Sequence, residues 1–188
     1  KNRQYLEEIN FNKSKSFVAI NPFTSNRANN YREWDYNNYS IIAEYLKNKH
    51  SINTVFLGKT SANKKLQLEQ NIKNKSNIIN MVNKTTLGQM LTILNICKFY
   101  IGPDSGSLHM ANMLKVPIIG LYATSNPRRT GPYKNLNYTV DKYEEALNKF
   151  SNKSISSAKW GERVREKNAM KLITLDDVKS MIKKVLSR

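Results

Sequence analysis

The stretch Phe99-Tyr100-Ile101-Gly102-Pro103-Asp104-Ser105-Gly106-Ser107-Leu108-His109-Met110-Ala111 runs from an apolar tract through a small polar turn into a helical pattern. Phe99 to Gly102 suits a short buried strand, and residues 105–114 suit a helix. A second apolar run, from Val116 to Tyr122, follows at once. Two buried strands joined by one helix must pair in parallel, because an antiparallel pair needs no such crossover. The fold class therefore turns on whether this unit repeats.

It does repeat toward the N-terminus. Ser16-Phe17-Val18-Ala19-Ile20 is an apolar run ended by Asn21-Pro22. Residues 36–49 then place Tyr39, Ile42, Tyr45 and Leu46 at helical spacing, with Asp35 or Asn37 as N-cap. Thr54-Val55-Phe56-Leu57-Gly58 reads as strand and glycine turn, residues 62–74 as helix, and residues 77–82 as strand. Residues 86–97 form a strongly amphipathic helix capped by Thr85 or Thr86. Beyond Tyr122 the sequence offers a short strand at 137–140, a helix at 143–150 and a final helix at 175–186 behind Thr174. Residues 1–15 read as a lead-in or linker, and the Ser- and Lys-rich residues 151–171 as a loop or mobile insertion. Alternation of this kind predicts an α/β fold, a Rossmann-like doubly wound parallel sheet.

In such sheets ligands gather beyond the carboxyl ends of the strands, so three loops matter. The turn 102–109 opens onto a helix N-terminus, where free N–H groups and the helix dipole favour an anion such as a diphosphate. Gly106 permits close backbone approach, Ser105 and Ser107 supply hydroxyls, and His109 lies one helical turn beyond Ser105. Asp104 is anionic and suits sugar hydroxyls better than phosphate. The bland alternative is that Asp104 or Ser105 merely caps the helix while His109 packs. The loop after Tyr122 contributes Thr124, Ser125, Arg128 and Arg129, and arginine forks match phosphate oxygens. The first loop, 21–34, carries Thr24, Ser25, Arg27 and Arg32, with Trp34 to pack it down.

The bulk properties narrow the field. With 188 residues, 39% hydrophobic, the chain can bury a full core, and no apolar run reaches the ~20 residues of a membrane-spanning helix. Cys97 is the single cysteine, which excludes an internal disulfide, and its apolar setting reads as a core thiol. The net charge of +17 admits anionic small substrates, an anionic membrane surface or nucleic acid. However, the lysines are dispersed and 25 residues are Asn, a composition that also fits an AT-rich genome. No aromatic-basic RNA-binding signature is present, so no nucleic-acid partner is expected.

Asp104-Ser105-Gly106-x-x-His109-x-Ala111, then Gly120-Leu121-Tyr122-Ala123-x-x-x-Pro127-x-x-x-Gly131-Pro132, resembles glycosyltransferase family 9, the lipopolysaccharide heptosyltransferases. Lys84-Thr85-Thr86-Leu87 and Arg32-Glu33-Trp34 also look like family segments, and the resemblance covers about residues 16–135 and the final helix. It implies that residues 16–188 are the C-terminal, nucleotide-sugar-binding half of a two-domain GT-B enzyme whose N-terminal acceptor domain lies outside this chain. Ser105, Gly106 and His109 would hold the donor diphosphate, with Arg32 and Thr124 beside it, and Asp104 would contact the donor sugar.

The resemblance further implies metal-independent, inverting transfer. The donor would be a nucleotide sugar such as ADP-heptose, with no separate cofactor, and the acceptor a lipid-linked or lipopolysaccharide glycan. The catalytic base would come from the missing domain. A cytoplasmic enzyme, peripheral on the inner face of an anionic membrane, is the expected setting. One departure stands out: Gly58-Lys59-Thr60-Ser61-Ala62-Asn63 lacks the carboxylate that reaches the ribose in the family, which leaves the nucleotide open. Two other functions remain in view: a nucleotide-sugar epimerase of the same architecture, and a basic nucleic-acid-binding module.

Overall fold

The computed structural model describes residues 16–25 and 31–187, so the lead-in 1–15 and Arg27 lie outside the described residues. Its sheet is six-stranded and wholly parallel: β1 (Phe17–Ile20), β2 (Asn53–Phe56), β3 (Ile78–Asn80), β4 (Tyr100–Pro103), β5 (Ile118–Tyr122) and β6 (Val140–Asp141), in the order β3-β2-β1-β4-β5-β6. Register pairs Val18 with Thr54 and Ala19 with Tyr100. The order reverses between β1 and β4, so the loops after those two strands diverge to opposite sides and leave a crevice.

Both faces of the sheet are covered, which is why the strands read as unbroken apolar runs rather than alternating ones. Val18, Ile20, Ile101, Ile119 and Leu121 face helices α1 (Tyr36–His50), α2 (Ala62–Ile72) and α7 (Leu175–Leu186), meeting Tyr39, Ile42, Leu46, Leu68, Val178 and Ile182. Phe17, Ala19, Tyr100, Ile118 and Tyr122 face the opposite way, toward Ile93 and Leu94 of α3 (Leu87–Ile96) and Leu108 and Ala111 of α4 (Gly106–Met113). Cys97 is buried in this second layer, where burial pushes its thiol up to about 12. Among the described residues no helix is long and apolar enough to cross a membrane.

The caps resolve the open choices. Asp35 accepts from the Asn37 N–H at the start of α1, and Thr86 forms a reciprocal capping box with Gln89 at the start of α3. Thr174 and Asp177 build a second box at α7. Helix α2 ends at Ile72, short of the expected 74, because the chain leaves helical geometry at Lys73 (ψ 139°) and Asn74 then turns left-handed at φ 63°. The strand expected at 137–140 is displaced: Leu136–Tyr138 is a 3-10 turn, and only Val140 and Asp141 pair with β5.

Two short elements were hidden in segments that read as loops: a single turn α5 (Pro127–Thr130), and a 3-10 turn at Ala169–Leu172. Helix α6 (Tyr143–Ser151) leads into residues 152–168, which are irregular yet tied down. Val164 N–H donates to the Thr124 carbonyl at 3.0 Å, and the Tyr143 hydroxyl donates to the Glu162 carbonyl at 2.8 Å. The segment is thus a strap pinned across the loop after β5, not a loose insertion.

Gly58, at the carboxyl end of β2, has φ +117°, and an added Cβ would overlap the Asn21 side chain. Gly58→Ala is therefore expected to lower stability by about 2 kcal/mol through a strained backbone, read as a shift of the urea midpoint at unchanged slope.

Candidate functional site

The carboxyl edges of β1, β4 and β5 converge on Asp104, which is 5% exposed. Its Oδ2 accepts from Arg32 Nη1 at 3.2 Å, Ser125 Oγ at 3.1 Å and Thr130 Oγ1 at 3.2 Å. Arg32 Nη1 also donates to the Asp104 carbonyl at 2.9 Å. His109 Nε2 stands 3.6 Å from Oδ1, an electrostatic neighbour beyond hydrogen-bond length. Burial alone would raise the Asp104 pKa, but His109, Arg32 and Ser125 outweigh it and hold the carboxyl below its ordinary range. One carboxylate thereby ties the first loop, the β4–α4 turn and the β5–α5 loop into a single unit.

The turn beside it is built differently from a simple cap. Ser105 occupies the N-cap position of α4 but makes no side-chain cap hydrogen bond. Its hydroxyl lies 3.1 Å from Ser107 Oγ, which also meets the Tyr100 hydroxyl at 2.8 Å and accepts from Asn21 Nδ2 at 2.6 Å. An ordinary side on Gly102 would press on Tyr100 and the Asn21 backbone, so that glycine makes room for the network. Gly106 is the opposite case: a Cβ there would meet nothing within 4 Å, so the first turn of α4 faces open space. Uncapped first-turn amides behind an open face suit an anion.

A cavity of about 210 Å³ opens next to this turn, at the ends of β1 and β2 and the start of α3. Asn21, Gly58, Lys59, Thr85, Met90 and Ser107 are among its walls. Hydroxyls, a cation and a methionine thus line one recess, the mixed polar and apolar lining usual for a small-molecule site.

The residues expected from sequence are gathered by this edge. Ser105, Gly106, His109, Arg32 and Asp104 sit together, and His109 is half-exposed and able to meet a ligand. Thr124 is buried at the end of β5, its carbonyl occupied by the strap. Asp104 is more engaged than expected, since Oδ2 is filled by protein donors; Oδ1 makes no hydrogen bond among the described residues. Arg128 and Arg129 are exposed on α5. Asn21, Tyr100 and Thr130 were given no role from sequence; Ser107, Gly58-Lys59 and Thr85 were noted there separately, but not that they share one cavity. Asn21 at the end of the first strand was the one visible sign, since an amide placed before a proline at a strand's carboxyl end often serves a loop.

A doubly wound parallel sheet with a crevice at its reversal point defines the Rossmann-like class of α/β domain. The model of glycosyltransferase family 9 (heptosyltransferase) matches residues 1–159, and this chain belongs to that family. It is 31% identical, over 92% of its length, to the "lipopolysaccharide core heptosyltransferase OpsX" of Haemophilus influenzae, of which it covers 49%. The chain thus spans about half the length of that curated relative. Among solved structures it is similar to the ADP-heptose heptosyltransferase II of E. coli, with TM-score 0.72 at 18% identity over 98% of this chain and 50% of that one. The UDP-GlcNAc 2-epimerase of Methanocaldococcus jannaschii is less similar, with TM-score 0.54 at 15% identity over 98% of this chain and 48% of that one. Both likenesses speak for the GT-B half-fold.

Proposed function

We propose that this chain is the donor-binding half of an inverting glycosyltransferase that adds a sugar, heptose by family resemblance, to a lipopolysaccharide or related surface glycan. The open, uncapped first turn of α4 at Gly106 carries the reading. The donor diphosphate lies against the amides of that turn, with the Ser105 hydroxyl, His109 and Arg32 around it. The nucleoside enters the cavity between Gly58, Thr85 and Met90, and Asp104 Oδ1 receives a donor-sugar hydroxyl. Thr124 supports the end of β5 beneath them. As the glycosidic bond breaks, negative charge grows on the diphosphate, and prearranged amides and cations stabilise it most at that moment. The base that deprotonates the acceptor hydroxyl comes from a partner domain. The acceptor is a lipid-linked glycan, and the full enzyme works as a peripheral protein at the inner face of the cytoplasmic membrane.

The test is calorimetric titration of the chain with ADP beside Gly106→Val. The wild type is expected to bind and the variant to lose at least tenfold in affinity. The variant's melting temperature should not fall, because valine is a better helix former than glycine and its side chain meets open space. Equal ADP affinity in both proteins would sink the assignment. A second reading rests on the likeness to the epimerase fold: a GT-B enzyme that converts a nucleotide sugar without any acceptor. Product formation from the donor alone would select it.

A further inference from the structure

The strap carries a group of cations that the donor site does not use. Arg128 and Arg129 on α5 and Lys159, Arg163 and Arg165 on the strap are all exposed. The two elements are joined by an antiparallel bridge between Ser125 and Arg163, and the Arg129 guanidinium lies about 3.5 Å from where a Gly161 side chain would begin. Among the described residues none of the four arginine side chains has a carboxylate within ion-pair distance. The nearby acids are otherwise engaged. Glu162 pairs with Lys153 at 2.6 Å and accepts from the Lys159 N–H at 3.0 Å. Asp141 is held up by burial, though it feels Arg128, and it accepts from the Tyr143 N–H at 3.0 Å.

Beside two of these cations, Arg128 and Lys159, stands Trp160, 65% exposed. With Arg128, Lys159, Asn126, Tyr143 and Ile155 it lines a recess of about 100 Å³. None of these residues lines the cavity beside Gly58. The two regions are nonetheless neighbours, because Ser125 touches Asp104 through its side chain and Arg163 through its backbone.

We propose that this recess is a second binding site, for a phosphate or carboxylate group carried on a sugar ring of the acceptor glycan. A guanidinium and an ammonium on one rim match such an anion. An exposed indole face beside them matches the polarised C–H groups of a sugar ring, because an aromatic face is negative. A flat membrane or an extended nucleic acid would call for several exposed aromatics or a continuous basic stripe; this is a single concave pocket whose aromatic lining is Trp160, exposed, and Tyr143, buried. The naming of the acceptor rests on the donor-binding reading, whereas the anion site itself does not.

The test follows tryptophan emission while the chain is titrated with glucose 6-phosphate, with glucose and inorganic phosphate in parallel. Trp34 is 2% exposed, so a change of emission reports Trp160. Glucose 6-phosphate is expected to give a saturable change, and glucose none. Inorganic phosphate should bind at least severalfold more weakly. Arg128→Ala and Lys159→Ala should each weaken binding about tenfold, the usual effect of losing one hydrogen bond to a charged group, while ADP affinity and the melting temperature hold. No saturable change, or equal affinity in the variants, overturns the site. Equal affinity for inorganic phosphate means an adventitious ion only and overturns the glycan assignment. Displacement of the sugar phosphate by ADP overturns its independence from the donor site. Loss of ADP binding with sugar-phosphate binding intact would fell the donor reading alone.

Discussion

Asp104→Ala is expected to lower folding stability by about 3 kcal/mol, since removing one partner of a buried ion pair leaves the other charge uncompensated. Asp104 and Arg32 side chains are only 7% and 14% exposed, so solvent screens little of this loss. Three loops are untied at once, because Arg32, Ser125 and Thr130 share one carboxylate oxygen. ADP affinity should fall with it, as Arg32 is no longer directed at the turn. Asp104→Asn separates the two effects: it keeps the shape and an acceptor oxygen but removes the charge. The pH dependence has a definite sign. The folded-state pKa lies below the ordinary value, so the stabilisation is fully present above about pH 4 and disappears as pH falls through the folded-state pKa. Chemical denaturation from about pH 2 to 7, which brackets ordinary carboxyl pKa values of roughly 4, should show a steeper acid loss for the wild type than for Asp104→Asn. Parallel pH profiles would mean that the carboxylate contributes nothing specific.

Trp34→Ala should cost more, about 3–5 kcal/mol, the usual range for truncating a buried aromatic. The indole is 2% exposed, packs edge-on against Tyr39 at 5.2 Å, and donates from Nε1 to the Ile173 carbonyl at 3.0 Å. Trp34→Phe keeps an aromatic ring against Tyr39 but orphans that carbonyl and leaves part of the indole volume unfilled, so a smaller loss of about 1–3 kcal/mol is expected. Both are read from denaturant midpoints. The functional signature is that ADP affinity falls in the alanine variant and returns in Trp34→Phe, because the loop carrying Arg32 needs the ring as its footing more than it needs the hydrogen bond. An alanine variant with wild-type stability would show that the loop is held by other contacts, of which Glu33 is the candidate: it binds Lys64 at 2.8 Å and the Thr24 N–H at 2.9 Å.

The parts that could be read from sequence share a physical basis. Strands buried on both faces announce themselves as apolar runs, so β1, β2, β4 and β5 were legible, as were helices with clear caps such as Thr86 and Thr174. Val140–Asp141 was not, because two residues carry no periodicity. The single turn α5 was masked by its Pro-Arg-Arg-Thr sequence, which reads equally as loop. Within the site, Ser105, Gly106 and His109 are close in sequence and form one recognisable turn. The network that supports them is not local: Asn21 reaches Ser107 across 86 positions and Arg32 reaches Asp104 across 72. No spacing rule reports contacts of that kind. Residues alone left this turn open as cap or site; the absent cap bond at Ser105 and the open space at Gly106 support the proposed site.

The hydrogen bond from Trp34 to Ile173 spans 139 positions, so the loop bearing Arg32 takes its footing on a carbonyl that lies just before α7. Contacts of such long range form late, after the entropy of closing the intervening chain has been met. A change that loosens the chain just before α7 should therefore be felt at the Arg32 loop, although the two belong to distant parts of the sequence.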